Sequence, residues 1–219
     1  MKAGAFGVFF LLAGCLYMVS AMEGETTLAE RNRRFGSASD FVFNLKGVSA
    51  DFTRAGARIQ GGDVSKFPAL DNLGVSNTLF TIKPCGMNLP HYHPRATELI
   101  YVIKGQDLTV AFAEENSGRS AVVNVVGEGD NAVFPQGLLH YQINLNCEHE
   151  VQFLSSLSSH DPGVVTVPDR MFGFDDTALA VVFNNPRMKR FRRQRLTNLR
   201  SLSHQCIADC RRKGYSIAA

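Results

Sequence analysis

No asparagine in this chain stands two residues before a serine or threonine, so no N-glycan is expected. Past residue 21 no apolar run is long enough to cross a bilayer, so the mature chain is expected to be soluble. Charge is scarce too, a net +3 over 219 residues, and that surplus is local. From Arg187 onward there are ten Lys/Arg and one Asp, a local +9, which leaves −6 for the 186 residues before it. The basic character belongs to a tail, and no nucleic-acid partner is expected of the body. Cysteine is sparse, with five residues.

The chain does have a leader-like start. Met1-Lys2 precedes an apolar run from Ala3 to Val19, and the small residues Val19 and Ala21 frame a cleavage site. A membrane anchor is the alternative. Three glycines within the run, and polar Glu23-Gly-Glu-Thr-Thr27 directly after it, favour a cleaved secretory signal over residues 1–21. The expected location is extracellular. Cys15 leaves with the signal, so Cys85, Cys147, Cys206 and Cys210 remain. An even number in an oxidising compartment predicts disulfides, and four cysteines allow three connectivities.

The length suits one domain with a sizeable core. Short apolar segments recur along it. Phe41–Leu45 reads as an edge strand, followed by a strand around Leu79 and Ile82. Leu99–Ile103, Leu108–Phe112, Val122–Val126, Ala132–Phe134, Leu139–Leu145 and Val151–Leu157 read as further strands. Turn residues separate them: Ser117-Gly118, Gly127-Glu-Gly-Asp130, Pro135-Gln-Gly137 and Asn146-Cys-Glu148. Many short strands at this spacing predict an all-β sandwich or barrel. After Asp161-Pro-Gly163 the pattern turns helical. Asp175-Asp176 can cap a helix over Thr177–Phe183, and a second helix can start at Thr197 or Ser201 and end near Gly214.

The chemistry concentrates in His91-Tyr-His93-Pro-Arg-Ala-Thr-Glu98 and, some forty residues on, Pro135-Gln-Gly-Leu-Leu-His140. Side chains alternate along a strand, so His91 and His93 share a face. Glu98 reaches the same centre if the chain turns at Pro94, and His140 arrives from a distant strand. Three imidazoles and a carboxylate suit Mn, Fe, Zn or Ni. His149, His160 and His204 have no such company and read as surface or loop residues.

These residues resemble the germin-like and spherulin-like cupins. The first motif of that family, G-x5-H-x-H-x3,4-E-x6-G, is met by Cys85, His91, His93, Glu98 and Gly105, with a cysteine at the position of the first glycine. The second, G-x5-P-x-G-x2-H-x3-N, is matched in full by Gly129, Pro135, Gly137, His140 and Asn144. The similarity runs from about Phe41 to Pro186. It implies a cupin jelly-roll β-barrel over residues 41–186, after an N-terminal extension at 22–40, with a short C-terminal helical extension in a basic tail at 187–219. It implies manganese, or another divalent ion, held by His91, His93, Glu98 and His140, and a likeness to proteins that assemble as homo-oligomers.

The resemblance also supplies activities: oxalate oxidation to carbon dioxide and hydrogen peroxide, or superoxide dismutation, each on a small anionic substrate. Asn88 matches an asparagine beside the metal in oxalate oxidases and is carried over as a candidate catalytic residue. Their other pocket asparagine falls at Thr78, with Asn77 beside it, and that departure leans against a dedicated oxalate oxidase. Asn144 reads as a structural group. The non-enzymatic alternative is an extracellular storage, matrix or receptor-like protein whose metal only stabilises the barrel. A metal-independent sugar-binding role has little support beyond the shared architecture. In the implied jelly roll the strand of His91 and His93 runs antiparallel to that of His140. Cys85 and Cys147 then fall at one end of the pair, and a Cys85–Cys147 disulfide is predicted, leaving Cys206 and Cys210 over. The Arg187–Arg195 run is open to three readings: a solvated helix face, a polyanion-binding surface, or a processing site, since Arg187-Met-Lys-Arg190 and Arg190-Phe-Arg-Arg193 both fit R-x-K/R-R, as does Arg31-Asn-Arg-Arg34.

Overall fold

The computed structural model describes residues 27–116, 118, 121–184 and 202–217. The leader and the Arg187–Arg195 run lie outside these residues. The chain forms two units, residues 1–37 and residues 38–219. In the first, helix α1 (Leu28–Asn32) is opened by a reciprocal cap between Thr27 and Glu30.

Among the described residues the second unit holds eleven strands in two antiparallel sheets. In chain order they are β1 (Phe52–Arg54), β2 (Ala57–Gly62), β3 (Ser76–Ile82), β4 (Met87–Tyr92), β5 (Glu98–Lys104), β6 (Leu108–Phe112), β7 (Val122–Val126), β8 (Asn131–Phe134), β9 (His140–Asn144), β10 (Val151–Leu157) and β11 (Val165–Thr166). One sheet has the order β1-β2-β3-β10-β5-β8, the other β11-β4-β9-β6-β7. This is the jelly roll that the strand spacing and the resemblance lead one to expect. Alternation builds its core. In β10, Val151, Phe153, Ser155 and Leu157 are buried while the residues between them are partly exposed. Phe153 stacks on Phe80 of β3 at 4.7 Å between ring centres. Ile82, Ile100, Val102, Leu108, Val110 and Phe134 complete the apolar centre.

One expected strand is absent. Phe41–Leu45 is not extended: it runs between two short 3-10 turns, Ala38–Phe41 and Leu45–Gly47. Two side chains account for this. Asn44 caps the second turn by accepting from the Gly47 N–H. Buried Gln60 then donates to the carbonyls of Leu45, Lys46 and Val48, which ties the chain down at and just beyond the end of the expected strand.

Helices α2 (Val167–Met171), α3 (Asp176–Val182) and α4 (His204–Arg212) follow the strands. Asp175 caps α3 through the N–H groups of Thr177 and Ala178, close to the sequence expectation. Ser203 caps α4. Both cysteines of α4 face the barrel, and they overturn the expected Cys85–Cys147 bond. The disulfides are Cys85–Cys206 and Cys147–Cys210, with Cα atoms 5.5 and 5.4 Å apart. As the resemblance implies, β4 and β9 are antiparallel neighbours, and Gly86 O accepts from the Asn144 N–H. The helix packs over the end of that pair. Residues four apart on a helix share a face, so Cys206 and Cys210 meet both barrel cysteines at once. Cys85 has φ +59°, a left-handed backbone that favours glycine, which explains the glycine usual there. Here a cysteine holds that conformation and carries the bridge.

Candidate metal centre

His91 on β4 lies directly across from His140 on β9 in the strand register. Pro90, which has no N–H to donate, stands where that register breaks between Asn88 and His91. The chain turns after His93 and re-enters the other sheet at Glu98, the first residue of β5. Ligands from both sheets therefore meet at one end of the sandwich. His91, His93, Glu98 and His140 are all buried, Glu98 completely, and the four donor atoms all lie within 4.8 Å of one another.

Each imidazole is turned by its Nδ1. His91 Nδ1 donates to Leu89 O at 2.7 Å, His93 Nδ1 to Gly163 O at 2.5 Å, and His140 Nδ1 to Leu138 O at 2.8 Å. A proton on Nδ1 leaves Nε2 to face inward as the ligand atom. The Nε2 atoms of His140, His93 and His91 stand 2.9, 3.2 and 4.0 Å from Glu98 Oε2. Two donors bound at about 2.1 Å to one ion can be at most ~4.2 Å apart, so these spacings suit a shared ion. Among the described residues Glu98 Oε1 has no hydrogen-bond partner, although it is fully buried. A buried carboxylate oxygen left bare is costly, and a cation satisfies it. The residues thus fit a divalent metal on their own chemistry.

Electrostatics agree. Burial alone would raise the Glu98 carboxyl, but hydrogen bonds from His140 and His93 hold it well below the usual carboxylate range. Burial, then neighbouring His140, pushes His91 down to about 3, so it stays neutral and able to ligate. Burial also lowers His93, yet the Glu98 hydrogen bond and charge, with Gly163 O, outweigh it and leave that imidazole above its ordinary value. Gly163 is held over the site by Arg95, which donates to Asp161 O and pairs with its carboxylate at 2.9 Å. A Cβ at Gly163 would sit 2.8 Å from the Arg95 guanidinium, and its φ of +63° is left-handed, so glycine is required there.

A cavity of about 470 Å³ opens beside His91 and His93. Phe80, Met87, Leu89 and Leu157 give it apolar walls, and Asn88 and Thr78 are among its polar lining groups. Asn88 donates to Gln142 Oε1 at 2.8 Å. Gln142 Nε2 and Ser155 Oγ are buried without partners. Sequence reasoning missed both. The signal was present in β9, whose inward alternation from His140 reaches Gln142, and in β10, where a serine interrupts the apolar inward row. Asn77 is exposed, so it does not replace the pocket amide that Thr78 lacks. Asn144 lies away from the donors and ties the barrel by donating to Ile82 O and His149 O. His149, His160 and His204 stay outside the cluster.

These strands and donors define a metal-binding jelly roll. The cupin family model matches residues 43–185. The chain is 36% identical over 152 residues to putative germin-like protein 2-1 of Oryza sativa subsp. japonica, an overlap of 67% of this chain and 69% of that one. It is 35% identical to spherulin-1B of Physarum polycephalum, over 67% of this chain and 58% of that longer one. Among solved structures it is similar to recombinant oxalate oxidase in complex with glycolate. That match has a TM-score of 0.64 and 32% identity, over 69% of this chain and 77% of the other. The chain belongs to the cupin family, in its germin-like group.

Proposed function

We propose that this protein is a secreted germin-like cupin that holds manganese, or a similar divalent ion, through His91, His93, Glu98 and His140, and that it performs redox chemistry on a small anion. The observation that carries this reading is the bare, fully buried Oε1 of Glu98 beside three inward Nε2 atoms. A bound ion would supply Lewis acidity and a one-electron couple. The chain supplies the rest. Three backbone carbonyls fix the imidazoles, and Glu98 contributes the negative charge. Asn88 presents its carboxamide to the cavity, and Gln142 fixes how it is turned. Apolar walls limit water near the centre, which strengthens polar contacts made there. The glycolate complex of the similar oxalate oxidase makes a small carboxylate the natural first substrate to test.

Secretion rests on the leader-like opening and on two disulfides, which persist in oxidising compartments. Thr78 in the pocket favours a second reading, in which the ion stabilises the barrel and no turnover occurs. Protein from culture medium should begin near Ala21 and contain one divalent ion per chain. Hydrogen peroxide release from oxalate, or loss of superoxide, supports the enzymatic reading. A full metal load with neither activity supports the structural one. Metal-free protein after exposure to manganese overturns both.

A further inference from the structure

The four cysteines lie at the end of the β4–β9 pair opposite the histidines, at the end of the barrel to which α4 is fastened. We propose that they form a second, sulfur-only metal site, which takes Zn²⁺ whenever the two disulfides are reduced. The geometry rests on contacts between the disulfides. Cys210 Sγ lies 3.8 Å from Cys85 Sγ and 3.9 Å from Cys206 Sγ, and it is bonded to Cys147. A tetrahedral zinc with Zn–S bonds of about 2.3 Å has sulfurs ~3.8 Å apart along its edges. Two edges of that tetrahedron are already in place. Cys85, Cys206 and Cys210 already stand within 4.8 Å of one another, and closing the other edges needs the paired sulfurs to part and Cys147 to swing in toward these three.

The supporting frame comes from three elements. Cys85 and Cys147 sit just outside β4 and β9, and Cys206 and Cys210 project from one face of α4. Cys85, Cys206 and Cys210 are buried among Ile207, Ile217 and Leu202, with no histidine or carboxylate in the cluster. Thiolate-only sets select soft or borderline ions, zinc foremost. A tetrathiolate zinc carries two negative charges, and within three residues of the sulfurs stand Lys83, Arg211, Arg212 and Lys213 against Glu148, Glu150 and Asp209. The step balances. A dithiol or phosphine reductant delivers four electrons, four protons enter, two S–S bonds break and four thiols form. Zinc then binds as thiolates and the four protons leave. Disulfide and zinc are thus alternative ways of fastening α4 to the barrel.

The test uses the full mature chain and Co²⁺ as a probe, because a thiolate-to-cobalt charge-transfer band arises at a sulfur site and not at the nitrogen and oxygen donors of the barrel. The chain is reduced without denaturant, freed of reductant under nitrogen, and titrated. A near-ultraviolet band that needs reduction, saturates at one cobalt per chain and is displaced by zinc is the expected result. The band should vanish in the Cys206→Ser/Cys210→Ser variant while the barrel still loads manganese. If reduction loosens the tail, one equivalent of zinc should restore protease resistance across residues 202–217. A reduced chain that gives no thiolate band, or a loosened tail that zinc fails to restore, overturns the proposal.

Discussion

At the metal centre a proton and the ion compete for the same atom of His93. Its Nε2 faces Glu98 at 3.2 Å, and its pKa ends above the ordinary value, burial being outweighed by the carboxylate. The metal needs that nitrogen bare. Affinity should therefore climb with pH until His93, whose pKa lies above its ordinary value, is neutral in the free chain, level off beyond that, and be accompanied by proton release below it. In the metal-free fold the linkage has its own sign. A raised pKa means that protonated His93 contributes stability below the unfolded value of about 6.5, and this contribution is lost as pH rises through the folded value. Calorimetric titrations in buffers of different ionisation enthalpy check both, and binding without proton release near neutrality would remove His93 from this role. Thr78 carries a second expectation. It lines the cavity where the oxalate oxidase pattern has an amide, and Asn77 points away. If the centre is catalytic, Thr78→Asn should raise kcat/KM for oxalate by about tenfold, the worth of one charge-assisted hydrogen bond of ~1.4 kcal/mol. An unchanged or lower value would show that the missing amide is not what limits oxalate turnover.

At the scale of elements, the C-terminal helix matters beyond its nine residues. Cys147–Cys210 spans 63 residues, for which the chain-entropy model gives about 4 kcal/mol. Cys85–Cys206 spans 121, for about 5 kcal/mol. The two close overlapping loops, so their effects should not add. Cys147→Ser/Cys210→Ser should lower unfolding stability by roughly the first figure and expose α4 to protease. Non-reducing peptide maps should join each barrel cysteine to the tail, and a Cys85–Cys147 peptide would reject this arrangement. The same region shows where sequence reasoning stops. Strands β5 to β10 were legible because short apolar runs, alternating in Leu108–Phe112, are bounded by turn residues. The four metal donors were legible because strand period and motif spacing agree. The disulfide pairing was not, because no pattern in β4 and β9 reveals that a helix more than fifty residues away packs over the end of that pair and takes both of its cysteines. Phe41–Leu45 misled for a related reason. Its residues are strand-like, but Asn44 caps a turn at its end and Gln60 holds the carbonyls of Leu45, Lys46 and Val48 there. Gln142 and Ser155 stayed hidden because polar residues on inward strand positions gain meaning only once the packing around them is known.

At the scale of the whole molecule, the barrel is fastened at two ends by different chemistry. At one end the donors come from both sheets: His91 and His140 from β4 and β9, Glu98 from β5. An ion there would be a cross-link between the sheets, and its binding energy adds to folding stability, about 2.7 kcal/mol at a hundredfold excess over Kd. At the other end the disulfides hold α4 to the same strand pair. Removing the ion leaves three imidazoles around a buried carboxylate, a cluster that stays partnered only while at least one of them is protonated. The two ends should then respond separately. Stripping the metal at pH 8 should speed amide exchange across the first residues of β5 and β9 and the last of β4, while residues 202–217 stay as protected as before. His93→Ala should reproduce this pattern without chelation. Faster exchange in α4 on metal removal would show that the barrel transmits the loss along its whole length, and the picture of two independent fastenings would fail. Equal protection with and without metal would show that the packed core around Phe80 and Phe153 holds the sheets together without help from the ion.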